Sequence, residues 1–197
     1  DPHVPIDGKL QVIDRYTNTI FDAAAGLYSN VDDVAKWLQF NLNKGKVNGK
    51  QIISEKQMKE MISPVTLQKV GTTPAYNSLF KAYGLGWQLQ DYNGKLEVSH
   101  TGGLEGIVTQ TIWYPQLNLG IVVLTNQQAG VAFNSVSNTI KDFYLSNPEK
   151  DWVSFYDKLM KSRTAEADGI TDEVWKTVET NKKNKALKVD AKSLVGT

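Results

Sequence analysis

The sequence predicts an α+β fold, an antiparallel sheet with helices packed on its faces. Three observations carry that prediction. Between Tyr83 and Thr125 the hydrophobic period is two, and turn residues at Asn93-Gly94 and Pro115 to Asn118 divide the block into strands. On either side the period is that of a helix, from Val31 to Leu42 and again from Val131 to Phe143. Helices gathered at the ends of a meander, rather than alternating with its strands, give an α+β layer design.

Taken in order, residues 1–28 are loop-like, with Pro2, Pro5 and Gly8. Ser29-Asn30-Val31-Asp32 has the form of a capping box, in which a hydroxyl and an acid satisfy orphan amides. Val31, Val34, Ala35, Leu38 and Leu42 then follow at helical spacing until Gly45 supplies a stop. Asn48-Gly49 reads as a tight turn. Ser54 and Gln57 repeat the capping logic for a short helix carrying Met58, Met61 and Ile62, which ends before Pro64. Residues 64–82 are irregular.

The first strand alternates Tyr83, Leu85, Trp87 and Leu89 with Gly84, Gly86, Gln88 and Gln90. Asn93-Gly94 turns it into a second, residues 95–101, and residues 107–114 form a third. The fourth, "LGIVVLT" at 119–125, is almost continuously apolar, which predicts burial on both faces and a central place in the sheet. The helix from Val131 turns Val136, Ile140 and Phe143 to one face and stops before Pro148. Trp152, Phe155, Tyr156 and Leu159 mark another helix, and residues 171–186 a further one around Val174, Trp175 and Val178. The lysine-rich stretch from Lys182 to Lys192 reads as a solvated tail or linker.

Composition bounds the function. A chain of 197 residues that is 41% hydrophobic supports one sizeable core, and folding at this size buries roughly 70% of the unfolded surface. A net charge of +1 lacks the electrostatic footprint of a nucleic-acid binder. No apolar run reaches the ~18 residues of a membrane span. The absence of cysteine excludes disulfides and thiolate zinc sites, and two distant histidines make neither a metal site nor another cofactor an expectation. The start at Asp1-Pro2-His3, without methionine or signal peptide, leads us to expect a fragment or a processed product.

The chemistry concentrates in "KLEVSHTGG", residues 95–103. Strand parity puts Leu96, Val98 and His100 on one face and Glu97, Ser99 and Thr101 on the other. Two glycines at a strand end mean that another backbone or a ligand comes close. Two readings follow: a core histidine followed by a bulge, or a strand edge where ligand carbonyls meet exposed amides, with His100 as polar handle.

Four stretches, "DAAAGLYSNVDDVAKWLQFNLNKGKVNGKQIIS", "YGLGWQL", "HTGGLEG" and "VVLTNQ", together resemble the serine β-lactamase and penicillin-binding-protein superfamily. The likeness is to its class C-like and D-alanyl-D-alanine carboxypeptidase or esterase branch, collinear from about residue 20 to residue 145. In that family a Ser-x-x-Lys serine attacks a carbonyl, a Tyr-x-Asn motif transfers protons, and Lys-Thr-Gly or His-Thr-Gly lines the opposite strand. His100-Thr101-Gly102 matches the third motif. The resemblance implies that the amide of Gly103 is an oxyanion-hole donor, a group that typically contributes ~3 kcal/mol to the transition state. It implies that His100 and Thr101 orient the tyrosine or a substrate carboxylate, and that Ala25-Gly26 forms part of the cleft wall.

The other two motifs are expected upstream. Ser78-Leu79-Phe80-Lys81 spells Ser-x-x-Lys and Tyr16-Thr17-Asn18 spells Tyr-x-Asn, but in the wrong order, and Ser78 opens no helix. The implied fold is thus β-lactamase-like and incomplete at its N-terminal side. Residues 1–160 are the C-terminal portion of the catalytic domain, and 161–197 a helical linker toward a further domain, which "KSLVGT" introduces. The sheet's own partners would be a missing N-terminal segment or a second copy at its edge. Histidine in place of lysine, largely neutral at pH 7 if near its reference pKa of ~6.5, points to a peptidase, esterase or amidase ancestor rather than antibiotic hydrolysis. The parent is expected to be periplasmic or extracellular and to act on a small-molecule or peptide substrate, and the chain alone to be inactive. The competing functions are a non-catalytic peptide- or peptidoglycan-binding module on the same fold, and a Ser-His-Asp hydrolase built on His100 with Ser29 or Ser78. No Gly-x-Ser-x-Gly elbow supports the last.

Overall fold

A computed structural model describes residues 1–6, 8–17, 20, 22–71 and 76–183. Asn18 of the Tyr-x-Asn triplet, most of the lysine-rich stretch and "KSLVGT" lie outside the described residues. By contacts the chain divides into two units, Asp1–Trp152 and Val153–Thr197.

The first unit opens with strands β1 (His3–Ile6) and β2 (Lys9–Val12), an antiparallel hairpin where the sequence suggested only loop. Its residues are mostly exposed, so no buried face wrote a period of two into them. Backbone bonds dock it elsewhere: the His3 amide donates to the Gly106 carbonyl at 3.1 Å, and the Gln128 amide donates to the His3 carbonyl at 3.1 Å. A short helix, α1 (Asp22–Ala25), follows, then α2 (Val31–Leu42). The cap of α2 is Asn30 rather than Ser29, its side-chain oxygen accepting from the Asp33 amide at 3.0 Å. Either residue caps well, and only the extended backbone of Asn30 decides.

Strands β3 (Lys46–Val47) and β4 (Lys50–Gln51) are joined by Asn48-Gly49, both at positive φ as the predicted tight turn requires. The predicted capping box holds at α3 (Glu55–Met61): Ser54 Oγ accepts from the Gln57 amide, and the Gln57 side chain accepts from the Ser54 amide.

The main sheet is antiparallel and six-stranded, built from β5 (Thr66–Leu67), β6 (Lys81–Tyr83), β7 (Gln88–Tyr92), β8 (Lys95–Leu104), β9 (Ile107–Tyr114) and β10 (Leu119–Thr125) in chain order. The expected first strand over 83–90 is in fact two. Residues 84–87 turn back on themselves, the Gly84 amide donating to the Trp87 carbonyl at 2.8 Å. A Cβ on Gly84 would lie 2.5 Å from the Met61 carbonyl oxygen, so the chain passes too close to α3 there for any side chain. Asn93-Gly94 turns β7 into β8 as predicted, again with both residues at positive φ.

Helices cover both faces. On one, Leu38 of α2 packs with Ala82, Trp87, Leu89, Val98 and Trp113. On the other, Phe133 of α4 (Gly130–Tyr144) packs with Tyr92, Ile112, Tyr114, Leu119, Ile121 and Val123. Alternate residues of β10 therefore face α4 and α2. This explains its apolar run; among the described residues β10 pairs with β9 alone, at the sheet's edge, the open edge expected of this chain if the sheet's N-terminal partners lie outside it, although its composition suits a sheet centre. Burial on both faces needs two covering layers, not two neighbouring strands.

The predicted face of α4 is also corrected. Phe143 is 81% and Val136 50% exposed, while Phe133, Ser137, Asn138, Lys141 and Asp142 are buried. The inward face thus joins Phe133 and the half-buried Ile140 to a polar network. In the second unit the described residues continue α5 (Trp152–Lys183), one helix running through Gly169 where the sequence suggested two.

Candidate functional site

β8 outruns its neighbour. Its pairing with β7 ends at Ser99 opposite Gln88, whereas its pairing with β9 continues to Leu104 opposite Ile107. From His100 onward one edge of β8 thus has no strand beside it among the described residues, and α1 is in contact with β8. The Thr111 hydroxyl on β9 donates to the His100 carbonyl at 3.3 Å, so that carbonyl faces β9. Carbonyls alternate sides along a strand. The Thr101 carbonyl and the Gly103 amide therefore face the open edge.

His100, Thr101, Gly102 and Gly103 are all exposed, which removes the core-histidine reading. The Tyr83 hydroxyl of β6 lies 3.0 Å from His100 Nε2, with the two rings edge to face at 6.2 Å. His100 Nδ1 lies 2.7 Å from the Thr101 carbonyl oxygen. The two glycines differ. A Cβ on Gly102 would meet Thr109 Oγ1 at 2.5 Å, while one on Gly103 would meet nothing within 4 Å. Gly102 is required by packing against β9, and Gly103 keeps the open edge bare.

Ala25-Gly26 closes α1, the Gly26 amide donating to the Asp22 carbonyl at 3.0 Å. Tyr16 belongs to the same end of the sheet. Partial desolvation, then the charges of Glu105 and Asp22, push its phenol above the usual range, the opposite of what a tyrosine taking a proton needs. Ser78 is half-buried and its hydroxyl donates to the Asp91 carbonyl at 2.9 Å. It precedes β6 and not a helix, so Lys81 is not one helical turn away. Among the described residues no three His, Asp or Glu side chains group as metal ligands, and no helix is long and apolar enough to cross a membrane.

Sequence reasoning missed two features. One is Tyr83, which entered only as an apolar member of an alternation. The other is Glu97, placed by parity on a polar face yet 3% exposed. Its carboxylate accepts from Lys141 Nζ at 3.0 Å, Gln90 Nε2 at 2.6 Å and the Tyr114 hydroxyl. Burial above all, then the Glu97 charge, holds the Tyr114 phenol far above the usual range. An acid flanked by Leu96 and Val98 was the available signal, but nothing local announces its partner on α4.

The chain matches a family described as Beta-lactamase over residues 2–143. It is 26% identical over 171 residues to Unguisins hydrolase ungD' of Aspergillus campestris, covering 79% of this chain and 27% of that protein. It is 27% identical over 154 residues to Unguisins hydrolase ungD of Aspergillus violaceofuscus, covering 72% and 27%. To the N-acetylmuramyl-L-alanine amidase of Bacillus subtilis it is 32% identical over 107 residues, covering 53% and 22%. The chain spans about a quarter of the length of these curated relatives.

Proposed function

The chain belongs to the beta-lactamase family, and from that premise we propose that the open edge of β8 is one wall of a serine-hydrolase cleft. One observation carries the proposal: exposed His100-Thr101 and two bare glycines stand where β8 loses its strand neighbour. In this reading a substrate carbonyl oxygen points at the Gly103 amide, and the negative charge it gains in the tetrahedral state is held there. A serine from a Ser-x-x-Lys segment preceding residue 1 attacks the carbonyl carbon. The carbon–nitrogen bond breaks, the amine leaves with a proton, and water then hydrolyses the acyl–serine ester. His100 and Thr101 orient the substrate or the family's tyrosine, and α1 with Ala25-Gly26 borders the cleft. The relatives' names, two hydrolases and an amidase, favour an amide carbonyl as the target.

Labelling with a fluorophosphonate tests this. Residues 1–197 alone should remain unlabelled, while a longer polypeptide carrying an upstream Ser-x-x-Lys should react stoichiometrically at that serine. Labelling of Ser78 would overturn the assignment. A longer polypeptide that binds peptide but never labels would favour the binding-module reading.

A further inference from the structure

We propose that Tyr83 is the positioning residue of this strand edge, fixing His100 in the Nδ1–H tautomer with its ring tied back to the Thr101 carbonyl. The argument begins with what each atom can do. A carbonyl oxygen only accepts, so the 2.7 Å contact between His100 Nδ1 and the Thr101 oxygen puts the proton on Nδ1. In the neutral ring Nε2 is then bare and only accepts. The group facing it at 3.0 Å is the Tyr83 hydroxyl, which donates. Which nitrogen of a histidine carries the proton is set by the bond the other one makes.

Tyr83 pairs with Gln88 and Gln88 with Ser99, so Tyr83 sits two strands from β8, level with Ser99 and on its face of the sheet, opposite the face that parity gives His100. The 3.0 Å contact therefore forms around the open edge, past the point where β7 stops pairing with β8. Two strand spacings are ~9.6 Å. A phenol and an imidazole reaching toward one another span that gap, and a shorter hydroxyl side chain does not.

The consequence deepens the cleft reading and rests on it for its functional meaning. With both ring nitrogens committed, His100 takes no proton from a nucleophile. It instead occupies the Thr101 carbonyl, the first acceptor on the open edge, so that a ligand's main chain meets the Thr101 amide as a donor and finds its first uncommitted acceptor at Gly103. Tyr83 thereby sets the register in which an extended substrate docks.

The chain has only two histidines, His3 and His100, which makes the test direct. Ring nitrogens are read by NMR on histidine-labelled protein at pH 8, with His100 identified by the loss of its signals in His100→Gln. The wild type should show His100 as a single neutral tautomer protonated at Nδ1. In Tyr83→Phe, with the β8 and β9 amide signals retained, the Nε2–H form should appear. A wild-type ring protonated at Nε2, or an unchanged pattern in Tyr83→Phe, would overturn the proposal. Should Tyr83→Phe not fold, the wild-type pattern decides alone. The readout needs no turnover, so failure here is distinguishable from failure of the cleft reading.

Discussion

Replacing Lys141 with methionine removes the cation from a pair whose side chains are only 6% and 3% exposed. The buried Glu97 carboxylate would keep Gln90 and Tyr114 as donors but lose its counter-charge. The ammonium also lies 4.6 Å and 5.1 Å from the ring centroids of Tyr76 and Tyr92, contacts that a thioether does not reproduce electrostatically. Leaving one member of a buried pair uncompensated costs about 3–5 kcal/mol. In a domain of this size 1 kcal/mol corresponds to ~2–4 °C in Tm, so the melt should move down by roughly 6–20 °C. Glu97→Gln alone should cost a similar amount, since it strands the lysine. The double variant should recover most of the loss, because a neutral, well-packed replacement of both partners is nearly neutral or stabilising. Urea unfolding of the four proteins, read as a double-mutant cycle, gives the coupling energy. A Lys141→Met cost below about 1 kcal/mol, or additive single costs, would refute the view that this pair holds β8 to α4.

Alkaline pH should expose the neighbouring tyrosine. The Tyr114 phenol is held up in the fold, while an unfolded one ionises near ~10. Its contribution is therefore fully present below pH ~10 and falls by about 1.4 kcal/mol per unit above it, a slope that Tyr114→Phe should lack in pH-dependent denaturation. Gly102→Ala should destabilise by about 1–3 kcal/mol through the clash with Thr109. Gly103→Ala should stay within about 0.5 kcal/mol, and equal melting points for the two would contradict the distinction drawn between them. In a longer, active polypeptide His100→Ala should lower kcat/KM by ~10²-fold, the scale of misplacing the reacting groups by about 1 Å, and a drop under threefold with unchanged stability would deny His100 a place in the cleft. The edge of β10, which has no second strand beside it among the described residues, should make the chain self-associate or retain a companion strand. Light scattering with intact mass spectrometry would refute this by finding a lone monomer of 21.9 kDa.

What the sequence determined by itself was whatever neighbours along the chain decide. Asn48-Gly49 and Asn93-Gly94 dictate their turns because both residues accept positive φ, and Ser54 with Gln57 caps α3 because the two meet within one helical turn. The antiparallel order of the meander followed from those turns, and "HTGG" marked the strand end where the candidate cleft lies. Tertiary structure alone decided the rest. The break of "YGLGW" depends on the Met61 carbonyl of another element. The inward face of α4 depends on Glu97, 44 residues away, and the state of the His100 ring on a tyrosine two strands across. Charge pairing and burial are properties of positions in space. A lysine that belongs on the solvent side of a helix by its own hydrophobicity turns inward when a distant strand presents a carboxylate, because neither charge can afford to be buried alone.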